Sequence, residues 1–249
     1  MNIIGIIPAR FGSTRFPGKP LADIWGVPMI LRVVERAEQC AGLSKVIVAT
    51  DDERIASVVR AAGKSVIMTS PDHPSGTDRC LEALEKSGEQ ADAVINIQGD
   101  EPFVKVEQLN QLVDAMQDSK TEIATLAKKI EDPAWLTDPN KVKVVMNDLG
   151  EAMYFSRQAI PFVKGAEMDQ WLSVQAYYKH LGLYAYKTAV LKRITQLEPS
   201  SLERAESLEQ LRWLQNGYKI FVGVTLWETP AIDTPEDLMK VLASEKNSF

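Results

Sequence analysis

An α/β fold on a mainly parallel sheet is predicted by three features of this 249-residue sequence. Short β-rich runs alternate with amphipathic helical stretches through the first half, a pattern that builds parallel strands joined by right-handed crossovers. The first run, Ile3 to Ile7, is rich in Ile and stopped by Pro8, as expected of a strand buried on both faces. From about Glu122 the strand-like runs come closer together, which implies a smaller β-rich subdomain across the carboxyl edge of the sheet.

Strands are expected at Ile3–Ile7, Lys45–Ala49, Ser65–Met68 and Ala93–Ile97, with helices at Met29–Cys40, Glu53–Ala62, Asp78–Lys86 and Val106–Met116 between them. In the second half, Ile123–Lys129, Lys143–Asn147, Ala152–Phe155 and Tyr178–Tyr186 read as strands, and Pro161–Gln175 as a loop without a clear period. Ser200 and Glu203 form an S-x-x-E capping box for a helix to about Asn216, and Lys219–Val224 is a strand. Thr234 and Pro235 open the last helix, with Pro at its first position. One domain is expected over 1–249, with 1–120 mainly handling a nucleotide.

The loop after the first strand, Pro8-Ala9-Arg10-Phe11-Gly12-Ser13-Thr14-Arg15-Phe16-Pro17-Gly18-Lys19-Pro20, has the composition of a phosphate cradle. Gly12 and Gly18 permit close backbone approach, Ser13 and Thr14 carry hydroxyl donors, and Arg10, Arg15 and Lys19 bring three cations with no acid among them. It leaves the carboxyl end of a strand, where open α/β sheets bind their ligands. It is not a Walker A loop. Its glycines stand one residue too far apart for G-x-x-x-x-G-K, and Pro20 occupies the position of the magnesium-holding hydroxyl.

Composition bounds the rest. A hydrophobic content of 45% with 25% charged residues is that of an ordinary globule. Net charge of -6 and the lack of a basic run with interleaved aromatics argue against a nucleic-acid partner. The opening residues do not form a signal peptide and no segment has the length of a membrane span, so a cytoplasmic protein is expected. Cys40 and Cys80 lack metal-ligand spacing and read as packed thiols.

Beyond the loop, Asp100 follows the run Ala93–Ile97, where an acid can coordinate a cation carried by triphosphate or simply complete a Gly-Asp turn. Asp233 precedes the last helix and is the second candidate ligand, whereas Glu236 and Asp237 have a sufficient role as first-turn acids. Strand alternation places Tyr178, His180, Tyr184 and Tyr186 on one face and Leu181, Leu183 and Ala185 on the other. His180 is then either a packed imidazole or a ligand contact. Glu209 and Gln210 interrupt an apolar helix and are either solvent-facing or matched to a polar ligand. Arg79, after Ser75-Gly76-Thr77, is a surface helix residue or a nucleotide contact, and His73 is a loop residue.

The run Pro8-Ala9-Arg10 followed by Ser13-Thr14-Arg15-Phe16-Pro17-Gly18-Lys19-Pro20-Leu21 resembles the signature loop of sugar nucleotidyltransferases. The resemblance is to the cytidylyltransferases that activate 3-deoxy-manno-octulosonate (Kdo) in particular. Ala49-Thr50-Asp51, Ser75-Gly76-Thr77-Asp78-Arg79, Asn96-Ile97-Gln98-Gly99-Asp100-Glu101-Pro102, Tyr154-Phe155-Ser156-Arg157, His180-Leu181-Gly182, Leu208-Glu209-Gln210-Leu211-Arg212 and Ile232-Asp233-Thr234-Pro235-Glu236-Asp237-Leu238 carry it through nearly the whole chain. It implies a three-layer α/β/α nucleotidyltransferase sandwich and CTP as a substrate. Catalysis would fall to Arg10, Lys19 and Asp100, and nucleotide binding to Arg10, Ser13, Lys19 and Arg79.

By the same resemblance Gln98, Arg157, His180, Tyr184, Glu209 and Gln210 contact an anionic sugar acid, and Asp100 and Asp233 hold Mg²⁺. It also implies a homodimer formed through 121–249 and a product used in lipopolysaccharide assembly. Phe162-Val163-Lys164 departs from the Trp-Asp-Arg-type continuation of many relatives, which leaves 8-amino-Kdo or sialic acid as alternative substrates. A non-catalytic nucleotide-sugar binding module is the reading from another class.

Overall fold

The structure is a computed structural model that describes residues 1–244. The amino-terminal part runs β1 (Ile3–Ala9), β2 (Asp23–Ile24), β3 (Val27–Pro28), α1 (Met29–Ala37), β4 (Lys45–Thr50), α2 (Glu53–Ala61), β5 (Val66–Met68), α3 (Gly76–Ser87), β6 (Ala93–Asn96) and α4 (Val106–Gln117). There follow β7 (Ile123–Lys129), α5 (Ala134–Thr137), β8 (Lys143–Met146), β9 (Ala152–Ser156), α6 (Trp171–Val174), β10 (Tyr178–Lys187), α7 (Thr188–Ile194), α8 (Ser201–Glu206), α9 (Gln210–Gln215), β11 (Ile220–Thr225) and α10 (Pro235–Ala243).

One sheet of nine strands runs β11-β7-β10-β6-β1-β4-β5 among the described residues, with β8 and β9 branching from β10. The strands β6, β1, β4 and β5 are parallel, and Ile6 lies opposite Ile47 on one side and Asn96 on the other. Strand β10 enters antiparallel between β6 and β7, and β7 pairs parallel with β11. The β-rich second half expected from the sequence therefore extends the same sheet, with only the β8–β9 pair branching off its main path.

Strand alternation divides the core into two apolar layers. Ile3, Ile7, Val48, Ile95, Leu183 and Ala185 meet residues of α1, α2 and α4 on one face. Ile4, Ile6, Ile47, Val94, Tyr184 and Tyr186 meet residues of α3, α7 and α9 on the other. Each fully buried Ile contributes about 1.5–3 kcal/mol, so this two-sided burial of β1 holds the strand that launches the loop Arg10–Pro20.

The structure corrects the expected elements at several points. Asp23–Pro28 is a small hairpin whose central Trp25 and Gly26 both have positive φ, the geometry of a two-residue primed turn. Thr188–Ile194 is helical, and Pro161–Gln175 contains the short helix α6, whose Trp171 is buried and stacked on Tyr177. The helix expected from Ser200 to about Asn216 is two helices. Ser200 caps the first as predicted, accepting from the Glu203 amide at 3.3 Å, but Ser207 turns the chain with φ 51°. Thr234 caps α10 with the Asp237 amide at 3.2 Å, again as predicted.

Candidate active site

Two clefts open at the carboxyl ends of β1 and β6 and share Arg15 and Asp233 on their walls. The first, of about 500 Å³, is lined by the loop after β1 together with Gly76, Arg79, Gln98, Gly99 and Asp100. The loop is closed by the Phe11 carbonyl, which accepts from the Ser13 amide at 3.0 Å and the Gly18 amide at 2.9 Å. Gly18 has φ +72°, and a side chain there would press on the Phe11 ring. The Arg54 guanidinium lies 3.3 Å from the centroid of that ring and is itself held by Asp52. Gly99 is required for a different reason, since a Cβ at this position would lie 2.8 Å from the Pro8 carbonyl.

Within this loop Arg10 is exposed on the cleft wall, and the Ser13 hydroxyl accepts from the Phe16 amide at 3.3 Å while keeping its own proton to donate. Lys19 reaches across to the acids. Its ammonium donates to Asp100 Oδ2 at 2.8 Å and to Asp233 Oδ1 at 3.1 Å, while Arg15 donates to the same Asp233 oxygen at 3.2 Å. The backbone fixes the pairing, because the Ile232 amide donates to the Asp100 carbonyl at 2.9 Å. No group of three or more His, Cys, Asp or Glu side chains converges among the described residues, so the chain offers two carboxylates. That donor set suits Mg²⁺, which takes its remaining oxygens from phosphates and water.

Arg79 is buried, donating to Thr69 Oγ1 at 2.6 Å and to Asp51 at 3.4 Å, and burial lowers its pKa. It lines the first cleft beside Gly76, whose position is set by the Ser75 cap of α3. Gln98 spans to the second cleft by donating to the Gly182 carbonyl at 2.7 Å. All of Arg10, Ser13, Lys19, Arg79, Gln98, Asp100 and Asp233 therefore meet in one cleft.

The second cleft, of about 730 Å³, contains His180. The imidazole lies 3.0 Å from Thr125 Oγ1, edge-on to Phe155, and burial lowers its pKa from 6.5 to about 3. The imidazole is thus neutral at physiological pH. Tyr184, Glu209 and Gln210 form no part of the walls of either cleft. Glu209 accepts from Thr77 Oγ1 at 2.8 Å, and burial raises its carboxyl above the usual range. Near it, Gln210 Nε2, Trp213 Nε1 and Asn96 Oδ1 are buried without hydrogen-bond partners.

Arg157 is not brought to either cleft. Its guanidinium donates to the carbonyls of Glu206 at 2.7 Å, Pro139 at 3.0 Å and Ser207 at 3.2 Å, which uses three of its five N–H donors. Lys128, Lys141, Lys179 and Glu228 of the second cleft are absent from the sequence-predicted set. Glu101, next to Asp100, is raised to about 8 by burial and then by the Asp100 charge.

Folding of the depressed His180 pKa into stability has a definite sign. Above about pH 6.5 the imidazole is neutral in both states. From there down to about 3 only the unfolded chain takes up the proton, so stability falls with a slope of at most about 1.4 kcal/mol per pH unit. Denaturant midpoints measured from pH 7 to pH 5 are expected to fall more steeply for the wild type than for His180→Asn. Equal slopes would show that His180 titrates normally.

A glycine- and cation-rich loop at the end of a parallel strand, faced by two acids of which Asp233 also lines a second cleft, is the arrangement of a nucleotidyltransferase-type α/β protein. Residues 4–220 match the family described as Cytidylyltransferase, and the chain belongs to that family. It is 56% identical to the 3-deoxy-manno-octulosonate cytidylyltransferase of Parabacteroides distasonis, with 98% of each chain covered. It is equally 56% identical to the enzyme of the same description from Bacteroides thetaiotaomicron, over 96% of each. A solved structure of CMP:2-keto-3-deoxy-manno-octonic acid synthetase complexed with CTP superposes with a TM-score of 0.91 at 44% identity, covering 98% of both chains.

Proposed function

We propose that this protein transfers CMP from CTP to Kdo, giving CMP-Kdo and diphosphate. The observation that carries the reading is the convergence of Lys19, Asp100 and Asp233 beside the loop after β1 in the first cleft, with Asp233 also on the wall of the second. Relatives more than half identical over nearly the full length act on Kdo by name, which supports the choice of sugar.

The anomeric hydroxyl of the sugar acid attacks the α-phosphorus of CTP. The new P–O bond forms as the bond to the β-phosphate oxygen breaks, the hydroxyl proton is lost, and diphosphate leaves. Asp100 and Asp233 would hold Mg²⁺, which supplies charge neutralisation at the α-phosphate and acidifies the attacking hydroxyl. Arg10, Arg15 and Lys19 place fixed positive charge around the triphosphate, where negative charge builds on the departing diphosphate. Arg79 and Gln98 line the same cleft and position the nucleotide and the sugar beside each other. The reading carries with it a cytoplasmic homodimer paired through its β-rich half and a product consumed in lipopolysaccharide assembly.

Diphosphate release, measured with Mg²⁺ and each of CTP, UTP, ATP and GTP against Kdo, 8-amino-Kdo and sialic acid, tests it. Release is expected with CTP and Kdo alone. Release with another sugar acid in place of Kdo would overturn the substrate, and CTP binding without release would leave a binding module.

A further inference from the structure

Apart from the two apolar layers of the main sheet, Ile24, Phe103, Ile232 and Val241 belong to a third buried cluster, with Phe16 and Ala22 packed against it. This cluster draws on each segment that carries Lys19, Asp100 or Asp233. Lys19 stands between Phe16 and Ala22, its amide donating to the Phe16 carbonyl at 3.2 Å and its carbonyl accepting from the Ala22 amide at 3.0 Å. Phe103 follows shortly after Asp100, and its ring lies 5.9 Å from that of Trp25 in the β2–β3 hairpin. Ile232 is fully buried and immediately precedes Asp233.

The backbone around Asp233 is held from two directions. The Ile232 amide donates to the Asp100 carbonyl at 2.9 Å, and the Asp233 amide donates at 3.2 Å to Asp237 Oδ2, in the first turn of α10. The second bond depends on where α10 sits. Among its described residues α10 buries Val241 alone, with Leu238 one turn earlier packed against the same cluster and Met239 exposed. A helix docked through so few apolar side chains belongs to the low-stability end of a structure, where segments open locally. The ion pairs of Asp233 with Arg15 and Lys19 add little support, because the Asp233 side chain is 40% exposed.

We propose that Val241 and Ile232 are positioning residues for the cation site: docking of α10 on this cluster holds Asp233 within reach of Lys19 and Asp100, so affinity for a divalent cation is set by the α10 docking equilibrium. The inference rests on the reading above that Asp100 and Asp233 hold Mg²⁺. When only a fraction of molecules is docked, the apparent dissociation constant rises by the inverse of that fraction, and saturating cation restores the docked form. A group that takes part in the chemistry behaves differently, since excess cation does not restore its kcat.

Val241 lines neither cleft, so Val241→Ala perturbs the cluster and leaves every polar group of the site in place. Amide hydrogen exchange in the free variant is expected to quicken about tenfold or more over residues 231–238, with β1 and β4 unchanged. Mn²⁺ titration of the free protein is expected to show about tenfold weaker binding, and the Mg²⁺ half-saturation for diphosphate release to rise by the same factor, with kcat at saturating Mg²⁺ within about threefold of wild type. Val241→Ile, which keeps the apolar contacts, should match wild type in all of these. Val59→Ala opens a cavity in the layer under α2 and serves as the control, with a lower thermal midpoint and unchanged Mn²⁺ binding. Leu238→Ala, at a half-buried position, replaces Val241→Ala if that variant does not fold, with changes expected in the same direction.

A wild type that neither binds Mn²⁺ nor turns over defeats the reading of the site, and this inference with it. Failure of the inference alone shows only in the variants. Unchanged exchange over residues 231–238 would overturn it, as would wild-type Mn²⁺ affinity in a variant whose α10 exchanges faster. An equal loss of Mn²⁺ affinity in Val59→Ala would overturn it too, since general destabilisation would then account for the effect.

Discussion

Asp100→Asn is expected to lower kcat for diphosphate release by on the order of 10²–10³-fold while the protein stays folded. The substitution keeps the shape of the side chain and leaves untouched the backbone bond from the Ile232 amide to the Asp100 carbonyl, which ties the two acid-bearing segments together. What it removes is one of two carboxylate charges. The Lys19 ammonium, now bonded to Asp100 at 2.8 Å and Asp233 at 3.1 Å, keeps only the second as a charged partner. On the proposed reading, the Mg²⁺ that Asp100 and Asp233 would hold loses one of its two protein ligands. The folding cost is small, because the Asp100 side chain retains 28% exposure and partly exposed ion pairs contribute little. Steady-state kinetics and a thermal melt of the same preparation decide the matter. A kcat within about threefold of wild type would remove Asp100 from the chemistry.

Much of this site is legible in the sequence because its parts are local. The glycines, hydroxyls and cations of the loop lie within one stretch of chain, and strand and loop are fixed by neighbours in sequence. Capping boxes at Ser200 and Thr234 are likewise short-range and appear as expected. The alternation of β10 also holds, with Tyr184 and Tyr186 in one apolar layer and Leu183 and Ala185 in the other.

The failures come where tertiary structure decides. Ser207 adopts a left-handed conformation uncommon for a residue with a side chain, and so splits an otherwise continuous helical pattern. The carbonyls of Pro139, Glu206 and Ser207 meet Arg157 only after β8, β9 and α8 have packed, so its place away from the walls of both clefts is not legible in its motif. The lysines of the second cleft come from β7, the loop before β8 and β10, and their shared carboxylate follows β11. No spacing within the chain announces that cluster, because cross-strand register creates it.

Lys19→Met should show the same separation of folding from chemistry, with an additional effect on metal binding. In the free protein the Lys19 ammonium is the counter-cation of both Asp100 and Asp233, and its side chain is 14% exposed. Met preserves most of the aliphatic stem and removes the charge. Two losses follow when CTP is present. The triphosphate meets only Arg10 and Arg15 from the loop, so the KM for CTP rises, and diphosphate departs without the third cation, so kcat falls by on the order of 10²-fold. In the absence of nucleotide the sign reverses. With no ammonium between them, Asp100 and Asp233 repel each other, and a divalent cation supplies the compensation that Lys19 gives in the wild type. Mg²⁺ or Mn²⁺ alone should therefore raise the thermal midpoint of Lys19→Met more than that of wild type, and Mn²⁺ titration should give the tighter binding to the variant. Equal metal affinity in the two proteins would mean that the ammonium does not compete with the metal for these carboxylates. An unchanged KM for CTP would separate Lys19 from the triphosphate.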